Sequence, residues 1–123
     1  MKAAELMVGD WVCLKDDTKC ELPLKVDGVL TDDISLDGEG FLGGAEGLIR
    51  PIPLTPEILN ENGWWYDVED MWLHDKVDFG IERWNGGFQC YNINQIKLDS
   101  VHELQHALRL CGLNELANNF KVK

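Results

Sequence analysis

Residues 102–106 read His-Glu-Leu-Gln-His, the H-E-x-x-H spelling of a zinc hydrolase helix. The spacing has a physical basis. Two histidines four apart stand one turn apart on a helix, so both imidazoles can reach one zinc ion. The intervening glutamate can then take a proton from zinc-bound water. On that reading His102 and His106 are metal ligands and Glu103 is the base. A third ligand must come from elsewhere, with Cys90 or Glu115 as candidates and His74 behind them.

Three features of the sequence count against it. In the extended protease pattern a Gly and then a His follow the second His at fixed intervals; here those places hold Arg109 and Gly112. The 17 residues after His106 offer one acidic side chain, Glu115, too close for a second ligand helix. At about 100° per residue, Val101, Leu104, Ala107, Leu108 and Cys111 gather on one side of the helix. His102 and His106 fall nearly opposite, so both are expected to face solvent or a partner. Finally, Ser100-Val-His-Glu103 spells a capping box, in which the Ser side chain accepts from the N3 amide and the Glu reaches back to the N-cap amide. A glutamate used in that way is not free to act as a base. Gly112 is expected to end the helix at C′, and Asn114 to cap one more turn through Asn118. The expectation is a structural helix with no catalytic residue and no cofactor; zinc belongs to the alternative.

Other chemistry is thinner. Asp33, Ser35, Asp37 and Gly38 fall at early ligand positions of a calcium loop, but Gly44 stands where the bidentate Glu is needed. The glycines of Asp37–Gly47 lack the Lys-Ser/Thr of a phosphate cradle and are read as a hairpin tip. There is no G-x-S-x-G, Walker or dinucleotide-binding pattern. Cys13, Cys20, Cys90 and Cys111 contain no C-x-x-C pair, which reads as buried free thiols in a cytosolic chain.

The elements around these residues follow from pattern. Gly9-Asp10 marks a turn into a strand at Trp11–Leu14. Leu22–Leu30 reads as a second strand, Ile34 and Leu36 as a third, and Leu48–Leu54 as a further extended, proline-punctuated piece. Thr55-Pro56-Glu57 starts a short helix that Gly63 ends. Strands are then expected at Trp64–Tyr66, Met71–Leu73, Val77–Trp84 and Phe88–Tyr91, with Asn85-Gly86-Gly87 as a hairpin loop and a last extended piece through Ile93, Ile96 and Leu98. Val77, Phe79 and Ile81 alternate with polar or small residues, so one face of that strand is buried. Aromatics in a small sheet are more often core than binding face. The fold class is α+β: residues 1–54 form a small SH3-like barrel or bent sheet, and residues 55–123 a helix, an antiparallel sheet and the C-terminal helix packed on it.

Pro51-Ile-Pro-Leu-Thr-Pro-Glu-Ile-Leu59, Asn62-Gly63-Trp64 and Val101-His-Glu-Leu-Gln105 with Leu108 resemble a group of small uncharacterised proteins of gut Bacteroidales and their phages or mobile elements. The similarity extends over about residues 50–112, and loosely to Val8-Gly9-Asp10. The resemblance implies no particular activity. The group's helix commonly reads V-H-x-L-Q-N, with Asn where this chain has His106, which implies that the second histidine is not an essential ligand.

Bulk composition narrows the function classes. The chain is 45% hydrophobic with five Trp, enough for a core in 123 residues. No apolar run approaches a membrane span, and Glu5 and Asp10 interrupt any signal-like segment, so a cytoplasmic location is expected. The net charge is −11, which repels phosphate backbones and disfavours nucleic-acid binding. The favoured expectation is a non-enzymatic accessory or interaction protein of phage or mobile-element type, with an unknown protein partner. The alternatives are the zinc-dependent hydrolase and an acidic DNA-mimic inhibitor.

Overall fold

The computed structural model describes residues 5–15, 21–29, 34–36, 41–42, 49–67, 69–84, 86–91 and 96–122. The chain is α+β and divides into two compact units, Met1–Ile52 and Pro53–Val122.

In the first unit, Asp10 sets up the sheet. Its carboxylate accepts the Met7 N–H at 2.8 Å while the Asp10 N–H donates to the Met7 carbonyl at 3.1 Å, closing a turn with Gly9 at φ +96°. The buried carboxylate thereby satisfies a backbone donor that a turn would otherwise orphan. From this turn runs β1 (Trp11–Leu14), followed by β2 (Leu24–Val29), β3 (Ile34–Leu36), β4 (Phe41–Leu42) and β5 (Ile49–Pro51). They form one antiparallel sheet in the order β4-β3-β2-β1-β5. The β2–β3 register shifts between Val26 and Gly28, a bulge of the kind that bends a strand. Leu6, Val12, Val26, Ile34, Leu36 and Ile49 make the core, with Leu24 and Val29 against it. The expected hairpin tip needs a correction here: Phe41 and Leu42, inside the glycine-rich stretch, pair with Ser35 and Ile34 as a strand. The calcium-loop positions Asp33, Asp37, Gly38 and Gly44 lie outside the described residues.

The second unit opens with α1 (Pro56–Glu61). Thr55 caps it by accepting the Ile58 N–H at 3.2 Å, Pro56 occupies the first turn, and Gly63 leaves it at φ +89°. Four antiparallel strands follow in spatial order: β6 (Trp64–Tyr66), β7 (Met71–His74), β8 (Val77–Trp84) and β9 (Gly87–Cys90). Trp72, Ile81 and Cys90 lie opposite one another on three neighbouring strands, all buried, and Phe79 joins them as the alternation requires. Residues 96–98 cover the β9 edge: the Cys90 N–H donates to the Ile96 carbonyl and the Leu98 N–H to the Phe88 carbonyl, each at 2.9 Å.

Helix α2 (Val101–Leu110) buries Val101, Leu104, Ala107 and Leu108. It ends in a Schellman turn: the Leu113 N–H reaches the Leu108 carbonyl at 2.9 Å and the Gly112 N–H reaches Arg109 at 3.0 Å, with Gly112 at φ +78°. That turn sends α3 (Asn114–Asn118) back along α2. Asn114 is the first residue of α3 rather than its cap, a place held by Leu113 without a side-chain bond. No helix of the described residues is long and apolar enough to cross a membrane.

Candidate functional site

The α2 motif is built differently from the capping box. Ser100 has N-cap backbone geometry, but its side chain makes no cap bond to the helix. Its hydroxyl instead donates to Glu103 Oε1 at 2.7 Å and lies 3.1 Å from His102 Nδ1. A hydroxyl has one hydrogen to give. With it committed to the carboxylate, the serine oxygen is the acceptor toward His102, so Nδ1 carries a ring proton. Glu103 and His102 are thus joined through one buried serine.

The expected exposure of both histidines is also corrected. His102 is 7% exposed and His106 is half-buried. The reason is α3. Gln105 donates to the Ala117 carbonyl at 2.9 Å, and Arg109 donates to Asn118 at 3.4 Å. The Gln105–Arg109 side of α2 therefore faces protein, and His102 lies on that side one turn earlier. The two imidazoles meet edge to face, 5.5 Å between centroids.

The structure brings His102, His106, Ser100 and Glu103 together and leaves the other proposed ligands elsewhere. Cys90 is buried in β9, and Glu115 is exposed on α3. Among the described residues, no group of three His, Cys, Asp or Glu side chains gathers as a metal ion would require.

The cysteines also depart from expectation. Cys90 is a buried free thiol, but Cys111, at the end of α2, is exposed. Sheltering of its thiol, and then the neighbouring Cys90, raise the Cys111 pKa above the ordinary thiol value. Cys13 is not a free thiol but takes part in a disulfide. Cys20 lies outside the described residues.

His74 is similarly fixed. The Lys76 N–H donates to its Nδ1 at 3.1 Å, so Nε2 bears the hydrogen and donates to the Asn62 carbonyl at 3.1 Å. The ring packs edge-on against Trp64, centroids 4.7 Å apart. Trp64 is buried and its Nε1 has no hydrogen-bond partner among the described residues. In front of His74 lies an open cleft of about 320 Å³, lined among others by Glu61, Asp75, Lys76, Asn119 and Lys121. Its lining mixes both signs of charge, and the His74 ring is held by backbone on both sides.

A third feature is the outer face of the β6–β9 sheet. Trp64 and Trp72 are core, but Trp65 is 44% exposed and faces Leu73 across the strands. Met71 and Tyr91 lie over Gly80: a Cβ there would stand 2.7 Å from Met71 Cε and 3.3 Å from Tyr91 Cβ. Tyr91 is 66% exposed. Trp65, Leu73, Met71 and Tyr91 therefore form one apolar band across the sheet, and none of the four was singled out from sequence as a binding residue. The signal was present in Val77-Asp-Phe-Gly-Ile-Glu, where a glycine sits at an outward position of a central strand and marks a place that neighbouring side chains fill.

Comparison of the chain with protein-family models, curated proteins and solved structures returned no match.

Proposed function

We propose that the chain is a non-enzymatic accessory protein of phage or mobile-element type that acts by binding another protein. The observation that supports this reading is the apolar band in which Trp65 and Tyr91 are exposed and Met71 and Leu73, between them, are half-buried. Contiguous apolar surface of this kind, on a chain this small and this charged, is characteristic of a contact surface. Aromatic residues of this type are also enriched where proteins meet. A photo-crosslinking amino acid at position 91 tests it in the native host. A discrete adduct is expected from position 91 and none from Glu57, exposed on α1. Equal labelling, or none, from the two positions would remove the reading.

Zinc hydrolysis is the second reading, favoured by one observation. The Glu103–Ser100–His102 chain orients an imidazole much as outer-shell partners orient metal ligands. Metal analysis of protein purified without a His-tag separates the two: stoichiometric zinc would replace the first reading by the second.

Cytoplasmic residence belongs to the same proposal. The Cys13 disulfide is the observation that stands against it, since reducing compartments keep thiols apart.

A further inference from the structure

We propose that the outer face of the β6–β9 sheet is the docking surface for a cationic peptide segment of a partner protein. The inference rests on the interaction reading above and names the chemistry of the partner.

The apolar band is bordered by acids. Trp65 Nε1 donates to Asp75 Oδ1 at 3.0 Å, which fixes a carboxylate beside the exposed indole. Along β8, Asp78 and Glu82 flank Gly80 on the same side, because alternate residues of a strand share a face. Glu82 lies across from Met71 and accepts from Gln89 Nε2 at 2.9 Å. Of the basic residues, Lys97 joins this side through its pairing with Gln89, and Lys76 sits in the β7–β8 turn. Among the described residues, acids therefore outnumber bases around the band.

This charge selects among occupants. A second copy would bring another chain of net charge −11 and the same acidic border against this one, a repulsive arrangement. A phosphate backbone is repelled for the same reason. A segment carrying Arg or Lys between apolar residues meets both features. Its apolar side chains cover Leu73 and Met71, its cations reach Asp75 and Glu82, and the exposed indole and phenol faces attract the same cations. The chain makes a contact of this type within itself, where Lys25 Nζ stands 5.9 Å from the Trp11 ring centroid.

The test is an NMR titration of the intact protein with an end-blocked peptide of alternating Arg and Leu, against a Glu/Leu peptide of equal length. Expected are shifts centred on the Trp65 indole N–H and the Met71 and Leu73 methyls, weakening with added salt, and no response to the Glu/Leu peptide. Trp65→Ser and the milder Glu82→Gln should each weaken binding about fivefold, with the remaining spectrum unchanged. Shifts centred elsewhere, or equal affinity in a folded Trp65→Ser protein, overturn the proposal. So does self-association through this face in sedimentation. A position-91 adduct together with no Arg/Leu response would leave the interaction reading standing and remove the cationic assignment.

Discussion

Asn62 clasps the backbone of Lys121 at two points, its Oδ1 accepting the Lys121 N–H at 2.7 Å and its Nδ2 donating to the Lys121 carbonyl at 2.8 Å. The same Nδ2 also donates to the Ile58 carbonyl at 2.8 Å. One amide thus ends α1 and holds a segment 59 residues further along the chain. Asn62→Ala should destabilise the protein by about 1–2 kcal/mol. Asn62→Asp should cost more, because a carboxylate cannot donate and faces two carbonyl oxygens. Denaturant melts give the energies, and faster hydrogen exchange at the Lys121 amide identifies the clasp as the cause.

Gly63 and Gly112 both have positive φ but differ in surroundings. A Cβ on Gly63 would stand 2.7 Å from His74 Nε2, whereas one on Gly112 would meet nothing within 4 Å. Gly112→Ala should therefore cost only the left-handed backbone strain, about 1 kcal/mol. Gly63→Ala should cost about 2–3 kcal/mol, since His74 must move as well. Because the His74 ring packs on Trp64, Gly63→Ala should also alter tryptophan fluorescence in the folded state, and Gly112→Ala should not.

Ser100 is 3% exposed and serves both Glu103 and His102. Ser100→Ala removes the acceptor of the His102 Nδ1 proton and leaves a buried donor unmatched there, a loss of about 1–3 kcal/mol. Glu103→Gln keeps an acceptor for the serine and should cost less. Equal losses in thermal unfolding would argue that the serine is held by the charge of Glu103 and not by an acceptor alone.

Tyr66 donates its hydroxyl hydrogen to Asp70, which sits at φ +61°. That bond raises the Tyr66 pKa above 10.0, aided by desolvation and by the Asp70 charge, and opposed by Arg83. The raised folded value fixes the sign. The stabilisation is complete below the unfolded tyrosine pKa and is lost as pH rises through the folded one. Absorbance titration should find Tyr66 ionising above the ordinary tyrosine range, and Asp70→Asn should bring it down.

Thiol labelling checks the cysteines. In unreduced folded protein, Cys111 should react first, yet more slowly near pH 8 than a free thiol, since its raised pKa lowers the thiolate fraction. Cys90 should react only on unfolding, and Cys13 only after reduction. Modification of Cys13 without reductant would show its thiol to be free.

Much of the fold is readable wherever one local rule acts alone. Thr55, Pro56 and Gly63 mark both ends of α1, and Phe79 and Ile81 identify the buried face of β8. The reading weakens where two partners compete for one residue. The apolar stripe of α2 says which side meets a core. It carries no information about α3, which returns through Gly112 and accepts a bond from Gln105. Ser100 fits a capping pattern, but its oxygen accepts from His102 Nδ1 rather than from a helix amide, while its hydrogen goes to the Glu103 carboxylate. Phe41 and Leu42 sit in a stretch whose glycines suggest a turn, and only their pairing with β3 makes them a strand. At the candidate surface, Trp65 and Trp64 are adjacent and alike in sequence; strand parity alone sends one into the core and the other to solvent.

Pro51 has a consequence for how the protein behaves in crowded solution. It lies in β5, the last strand of its sheet, opposite Val12. A proline is tolerated in such a pair only where its missing N–H would have pointed away from the neighbouring strand, toward the open side. The outer rim of β5 therefore lacks one of the donors that a passing strand would need to extend the sheet. Pro51→Val would restore it, and the same folded molecule should then precipitate at lower concentration.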